Sequence, residues 1–218
     1  MTVIAIDGPS GSGKSTVAKA VAARLGLAYL DTGAMYRAAA LWADQAGLLD
    51  QPEALPKLVQ QMPLEISLDP ADPTVRLAGR DVTGPIRTSR VSGIVSRLST
   101  VVPARRVLVA RQRAIVAANR RPGIVVEGRD ITTVVAPEAD VRLLITASEA
   151  ARLRRRALDQ RGQAGAEAIA ATRDEVLRRD RDDSAVAQFL EPPPGVTVID
   201  SSDLSVDQTV AAVLELVR

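Results

Sequence analysis

Short, nearly unbroken apolar runs alternate along this chain with longer amphipathic stretches. The runs at 2–6, 28–30, 123–126, 141–145 and 196–199 are rich in Val, Ile, Leu and Ala. Runs with no polar alternation predict strands buried on both faces of a parallel sheet. Between them, 15–25 and 148–161 carry helical spacing. The last helix is the best marked: Ser205 and Gln208 form a capping-box pair, and Val206, Val210, Val213, Leu214 and Val217 then share one face. Alternating β and α elements predict an α/β fold of three layers around a parallel sheet.

Two regions break the rhythm. Residues 63–85 contain short alternating strands separated by "DPADP" and "AGRD", which predicts a small antiparallel β insert. Residues 148–183 are Arg-rich, helical and poor in large apolar side chains, so an exposed, mobile segment is expected there. The "EPPPG" run at 191–195 predicts a stiff connector into the final strand.

Composition then removes whole classes of chemistry. The 218 residues include no histidine and no cysteine, which excludes imidazole bases, thiol nucleophiles, His or Cys metal sites and disulfides. Carboxylates, Lys, Arg, hydroxyls and the backbone remain. With 28 basic against 26 acidic residues the net charge is only +2, which argues against a general nucleic-acid coat. Only Lys14, Lys19 and Lys57 are lysines; every other base is arginine, suited to forked contacts with phosphate or carboxylate. No apolar run approaches membrane-spanning length, and "MTVIAIDGPS" lacks a basic leader, so a cytoplasmic location is expected.

The segment Gly8, Pro9, Ser10, Gly11, Ser12, Gly13, Lys14, Ser15 fits G-x-x-x-x-G-K-[ST], after a predicted strand and opening a predicted helix with Thr16. Glycines let the backbone wrap a phosphate, and the helix adds its positive end. Lys14 would reach the terminal phosphates of ATP and the Ser15 hydroxyl would contact Mg2+. A GTPase would also carry an N-K-x-D motif, but the one asparagine, Asn119, sits in "AANRRPG". A small-molecule kinase needs an acceptor site facing this loop. Two strand ends offer one: "DTGAMYR" at 31–37 and "VVEGRD" at 125–130 each set arginine beside carboxylates or hydroxyls. For the first, the alternative is a plain helix cap at Asp31 or Thr32; for the second, a local Arg129–Asp130 ion pair.

The motifs "IDGPSGSGKST", "DTGAMYRAAAL", "GRDVTGPIRTSRVS", "ARRVLVARQR", "VVEGRDITTVV" and "RRDRDDS" occur in order. Together they resemble those of the bacterial cytidylate kinases, within the nucleoside monophosphate kinase family. The resemblance implies transfer of the γ-phosphoryl group of ATP to CMP or dCMP, with Mg2+, in a monomer that has no stable nucleic-acid partner. It implies one P-loop kinase domain over 1–218: a core at about 1–60, 101–147 and 184–218, a nucleotide-binding insert at about 61–100, and a helical lid at about 148–183.

By the same resemblance, Arg37 and Arg129 would hold the CMP phosphate. Thr32, Ser96, Arg105 and Asp130 would read cytosine or lie beside it, and Arg179 and Asp183 would contact the ribose or help close the site. Arg152, Arg155 and Arg156 share one helical face, and the resemblance makes that face the lid over the ATP phosphates, with Arg152 and Arg156 catalytic alongside Lys14 and Arg129. Asp31 would be local scaffold or support on the Mg2+ side. The chain departs from the family pattern at Thr32 (more often Ser), Thr132 (usually Gly) and Val186 (commonly Arg). Two rivals stand beside this reading: a P-loop kinase for another acceptor, and a nucleotide-dependent RNA-binding factor using the arginine-rich helix. Two tyrosines, one tryptophan and one phenylalanine offer little base stacking for the second.

Overall fold

The computed structural model describes residues 2–162, 165–187 and 189–217, the side chains at 159–161, 166, 175 and 179 excepted. Among these residues the elements run β1 (Thr2–Asp7), α1 (Lys14–Leu25), β2 (Ala28–Asp31), α2 (Thr32–Gln45), α3 (Leu55–Gln60), β3 (Leu64–Ile66), β4 (Val75–Leu77), β5 (Arg80–Asp81), α4 (Ser89–Ser99), α5 (Val102–Ala118), β6 (Gly123–Gly128), β7 (Val141–Thr146), α6 (Glu149–Arg161), α7 (Ala166–Ser184), β8 (Thr197–Asp200) and α8 (Val206–Glu215).

All pairings in the main sheet are parallel, in the order β2-β6-β1-β7-β8. Successive side chains alternate between its two faces. Val3, Ala5, Leu30, Ile124 and Val126 join one core with α2, α4 and α5. Ile4, Ile6, Tyr29, Val125, Leu143 and Ile145 join the other with α1 and α8. This is the three-layer arrangement that the apolar runs predict, and parallel pairing gathers the carboxyl ends of the strands along one edge.

The predicted strands are found within a residue or two of their expected limits. At their carboxyl ends they extend beyond the apolar runs into Asp7, Asp31, Glu127, Thr146 and Asp200. These polar residues keep the ladder because they stand at the edge where the loops supply hydrogen-bond partners. The insert is the expected antiparallel sheet, β3-β4-β5, and the chain just beyond β3 covers the β2 edge, where Tyr29 N–H donates to Leu68 C=O at 2.8 Å. The α8 capping box is present in both directions.

One expectation fails. The 148–183 segment is not simply exposed: Leu153, Ala157, Ala168, Thr172 and Val176 are buried where α6 and α7 pack together. Alanines at close-packed positions supply this small core, so a search for large apolar residues overlooks it.

Candidate active site

A cavity of about 540 Å3 lies along the carboxyl edge of the sheet, between the 8–15 loop, the start of α2, α4, the end of β6, α6 and the start of α8. At one end is the phosphate-binding loop. Lys14 opens α1, and its Nζ donates to Pro9 C=O at 3.3 Å across the loop. Residues 10–16 line the cavity, while Gly8 and Pro9 do not. Gly8 instead packs on β7, where a Cβ would meet the Ile145 carbonyl oxygen.

At the other end the carboxylates and arginines sort into pairs. Asp31 caps α2 by accepting from Ala34 N–H at 2.7 Å, and its second oxygen accepts from Arg37 at 3.0 Å and from Arg87 at 3.4 Å. Burial works to raise its pKa, but the two guanidiniums outweigh it and hold Asp31 below the usual carboxylate range. Glu127 goes the other way, raised by burial and by the neighbouring Asp31 charge. Its Oε1 accepts from Ser15 Oγ at 2.7 Å and Tyr29 OH at 3.3 Å. The Thr32 hydroxyl donates to Glu127 C=O at 2.8 Å, and Gly128 must lack a Cβ because one would overlap that hydroxyl.

Arg129 and Asp130 do not form the local pair that was the alternative reading. Arg129 donates to Gly8 C=O at 2.7 Å and to Asp183 at 3.1 Å, with its guanidinium 4.9 Å from the centre of the Phe189 ring. Asp130 pairs with Arg105 at 2.5 Å, and Arg105 lies 5.3 Å over the Tyr36 ring. The loop carrying both residues is tied down by Asp7, which accepts from Ile131 N–H at 2.8 Å, Thr132 N–H at 2.9 Å and the Thr132 hydroxyl at 2.6 Å. The Thr132 side chain therefore adds a donor to this anchor.

Burial pushes the Asp7 carboxyl up from 3.8 to about 6, against the donors that favour its charge. A raised acid binds its proton more tightly in the folded state, so its stabilising contribution is present below pH 4 and is lost as pH rises through 6. The rise from 3.8 to about 6 corresponds to about 3 kcal/mol. Asp7→Asn removes this titration, so the wild type's stability advantage over the variant should shrink by up to about 3 kcal/mol between pH 4 and pH 7.5. Urea unfolding at the two pH values tests this; a pH-independent advantage contradicts it.

Most of the residues expected at the site converge on the cavity; besides Gly8 and Pro9, Ser96 and Arg152 do not. Thr32, Arg37, Arg105, Arg129, Asp130, Arg156 and Asp183 line it. Ser96 does not: Ser92, Val95 and Ser99 are the α4 residues on that wall, since helical periodicity turns Ser96 aside. Arg152 also misses it and donates to Ser10 C=O at 3.0 Å and to Asp180. The α6 residues on the wall are Arg155 and Arg156, with Arg155 bonded to Ser12 C=O at 3.3 Å and Ser201 C=O at 2.5 Å. The Arg179 side chain lies outside the described residues. Val186 does not line the cavity.

Sequence reasoning missed Arg87, Tyr36, Ser99 and Asp180, and placed Glu127 in the acceptor cluster without giving it a role. It also gave no role to the wall made by Ser201, Leu204, Ser205 and Thr209. Arg87, Tyr36 and Asp180 lay inside quoted motifs, and that was the available signal. Ser99 had none, because only the orientation of α4 brings it to the wall.

On the wall, buried Ser12 Oγ, Tyr36 OH, Arg37 Nε and Ser99 Oγ have no hydrogen-bond partner among the described residues. Each costs about 1–3 kcal/mol if left unsatisfied. They are spread from the phosphate loop to the insert side, so a polar ligand that bonds to all of them must span the cavity.

The family model described as cytidylate kinase matches residues 4–218. The chain belongs to the cytidylate kinase family. It is 48% identical to the cytidylate kinase of Cutibacterium acnes, over 99% of this chain and 95% of that protein. With that of Nocardia farcinica it shares 45% identity, over 95% of this chain and 90% of that protein. Solved structures are more distant. That of TT1252 from Thermus thermophilus has a TM-score of 0.50 and 20% identity, covering 100% of this chain and 98% of that one. An uncharacterized protein from Eubacterium ventriosum has a TM-score of 0.52 and 11% identity, covering 99% and 97%. At such identities the likeness is one of fold. Among the described residues no helix is long and apolar enough to cross a membrane.

Proposed function

We propose that this chain transfers the γ-phosphoryl group of ATP to CMP or dCMP, giving ADP and the nucleoside diphosphate. The observation that carries the reading is one continuous cavity with a phosphate-binding loop at one end and partnerless buried polar atoms reaching to the other. ATP would lie with its phosphates on residues 10–16 and its base toward Ser201, Leu204 and Thr209. The acceptor phosphate would meet Arg37, Arg87 and Arg129.

Cytosine would lie against Thr32, Tyr36, Ser99, Arg105 and Asp130. Because the Thr32 proton is committed to Glu127 C=O, its oxygen can only accept. That suits the exocyclic amino group of cytosine and not the carbonyl of uracil. Burial keeps the Tyr36 phenol protonated, so it remains a donor.

The attacking atom is a phosphate oxygen, already ionised near neutral pH, so no strong base is required. Lys14, Arg155 and Arg156 would stabilise charge on the transferring group, and the closed lid would exclude water. No group of three or more Asp or Glu among the described residues could cage a metal on its own. The Ser15 hydroxyl and the Glu127 carboxylate, 2.7 Å apart, are hard oxygen donors that fit Mg2+ held mainly by phosphates and water. Mg2+ held there would supply charge neutralisation to the ATP phosphates. The core, the insert (about 61–100) and the lid (about 148–183) would move as separate parts about this cavity.

The test is ADP formation from Mg-ATP with CMP, dCMP, UMP, AMP, GMP, dTMP, shikimate or no acceptor. CMP and dCMP should exceed UMP by at least about tenfold and the purine nucleotides by at least about a hundredfold. A flat panel with ATP still bound overturns the acceptor assignment. Salt-sensitive RNA binding without any acceptor phosphorylation would favour a nucleotide-dependent RNA factor instead.

A further inference from the structure

Asp180 on α7 is buried and does not line the cavity, yet it touches both ends of the machinery. Its Oδ1 accepts from Ser10 N–H at 3.0 Å and lies 3.8 Å from Arg129 Nη2. Its Oδ2 accepts from Arg152. Arg152 in turn donates to Ser10 C=O at 3.0 Å, so the lid grips the Ser10 residue by both its N–H and its C=O. One carboxylate is thus shared between the arginine of the acceptor end and the arginine that pins the lid to the phosphate loop.

We propose that Asp180 is a positioning residue that couples acceptor binding to donor binding by setting the lid on the phosphate loop. This rests on the reading of the site given above, in which Arg129 receives the acceptor phosphate. An anion arriving at Arg129 competes with Asp180 for that guanidinium and adds negative charge on the acceptor side of the carboxylate. The attractions left to Asp180 are Arg152 and Ser10 N–H, both on the donor side. Strengthening them holds α6 and α7 against the loop before ATP is bound, so ATP no longer has to close the lid at its own expense. Coupling of this kind is reciprocal: ATP must tighten CMP by the same factor.

Calorimetric titration of a non-hydrolysable ATP analogue, with and without CMP, measures the factor directly. In the wild type CMP should tighten the analogue about tenfold or more, and the analogue should tighten CMP equally. Asp180→Asn keeps an oxygen for Ser10 N–H but loses the charge shared by the arginines. In this variant the factor should fall to within about twofold, while the analogue alone still binds within about threefold of wild type. A merely structural residue would weaken both ligands and leave their ratio intact.

A full factor in Asp180→Asn, or no factor in the wild type, overturns the proposal. If CMP does not bind the wild type at all, the function itself fails, and this is seen before any variant is compared. Should the variant not fold, hydrogen exchange on the wild type decides. CMP alone should slow exchange in peptides covering both the 8–13 loop and α7; an unchanged loop overturns the coupling.

Discussion

Lys14→Met should lower turnover by about a hundred- to a thousandfold and leave the fold in place. The side chain is 9% exposed and lines the cavity at the head of α1. Methionine keeps the length and apolar stem of lysine and fits the same channel. What disappears is the one cation rooted in the phosphate loop itself, together with the bond to Pro9 C=O. The same charge holds down the pKa values of Asp31 and Glu127, so the variant should also bind Mg-ATP more weakly at low pH. ADP formation with CMP, alongside circular dichroism, checks both halves. Activity within about tenfold of wild type would remove Lys14 from the chemistry.

Arg129→Ala should show a double deficit. Acceptor binding loses a guanidinium, and kcat/KM should fall by at least about tenfold, since a charge-assisted contact contributes about 1.5–3 kcal/mol. The fold also suffers, because Asp183 loses one of its partners; the two side chains are 14% and 11% exposed. A lost charge-assisted bond costs about 1.5–3 kcal/mol, and each kcal/mol shifts Tm by about 2–4 °C at this chain length. A drop in Tm of roughly 3–12 °C is therefore expected. Arg129→Lys separates the two effects: it restores charge opposite Asp183 but cannot fork. Its Tm should recover more than its kcat/KM. Wild-type kinetics in the alanine variant would refute the assignment.

Much of this architecture was legible in the sequence. The runs around Ile4, Ile124 and Leu143 could hardly be anything but doubly buried strands, and the loop ending in Gly13-Lys14-Ser15 named its ligand class. Strand ends then placed Asp31, Glu127 and Arg129 on one edge. What could not be read was which way each side chain on a helix faces. Ser96 and Ser99 are one turn apart with similar chemistry, and only the seating of α4 chooses between them. Arg152 and Arg155 share a helical face in any sequence-based projection. In the folded chain, however, one ends on Ser10 and Asp180 and the other on Ser12 and Ser201. Asp180 was overlooked because its partners lie 28 and 170 residues away. Local pattern carries no trace of such distances.

The close approach of the lid to the phosphate loop has a consequence for how that loop can vary. In the pattern G-x-x-x-x-G-K-[ST], position 11 is a wildcard. Here, however, Gly11 has φ +76°, and a Cβ would come within 2.5 Å of the Arg152 carbonyl oxygen. Any other residue would strain the left-handed turn and prop α6 away from the loop. A library randomised at residues 9–12 and selected for growth on kinase activity should therefore return glycine at 11 and tolerate variety at its neighbours. The freedom written into the motif is withdrawn here by the helix that closes over it.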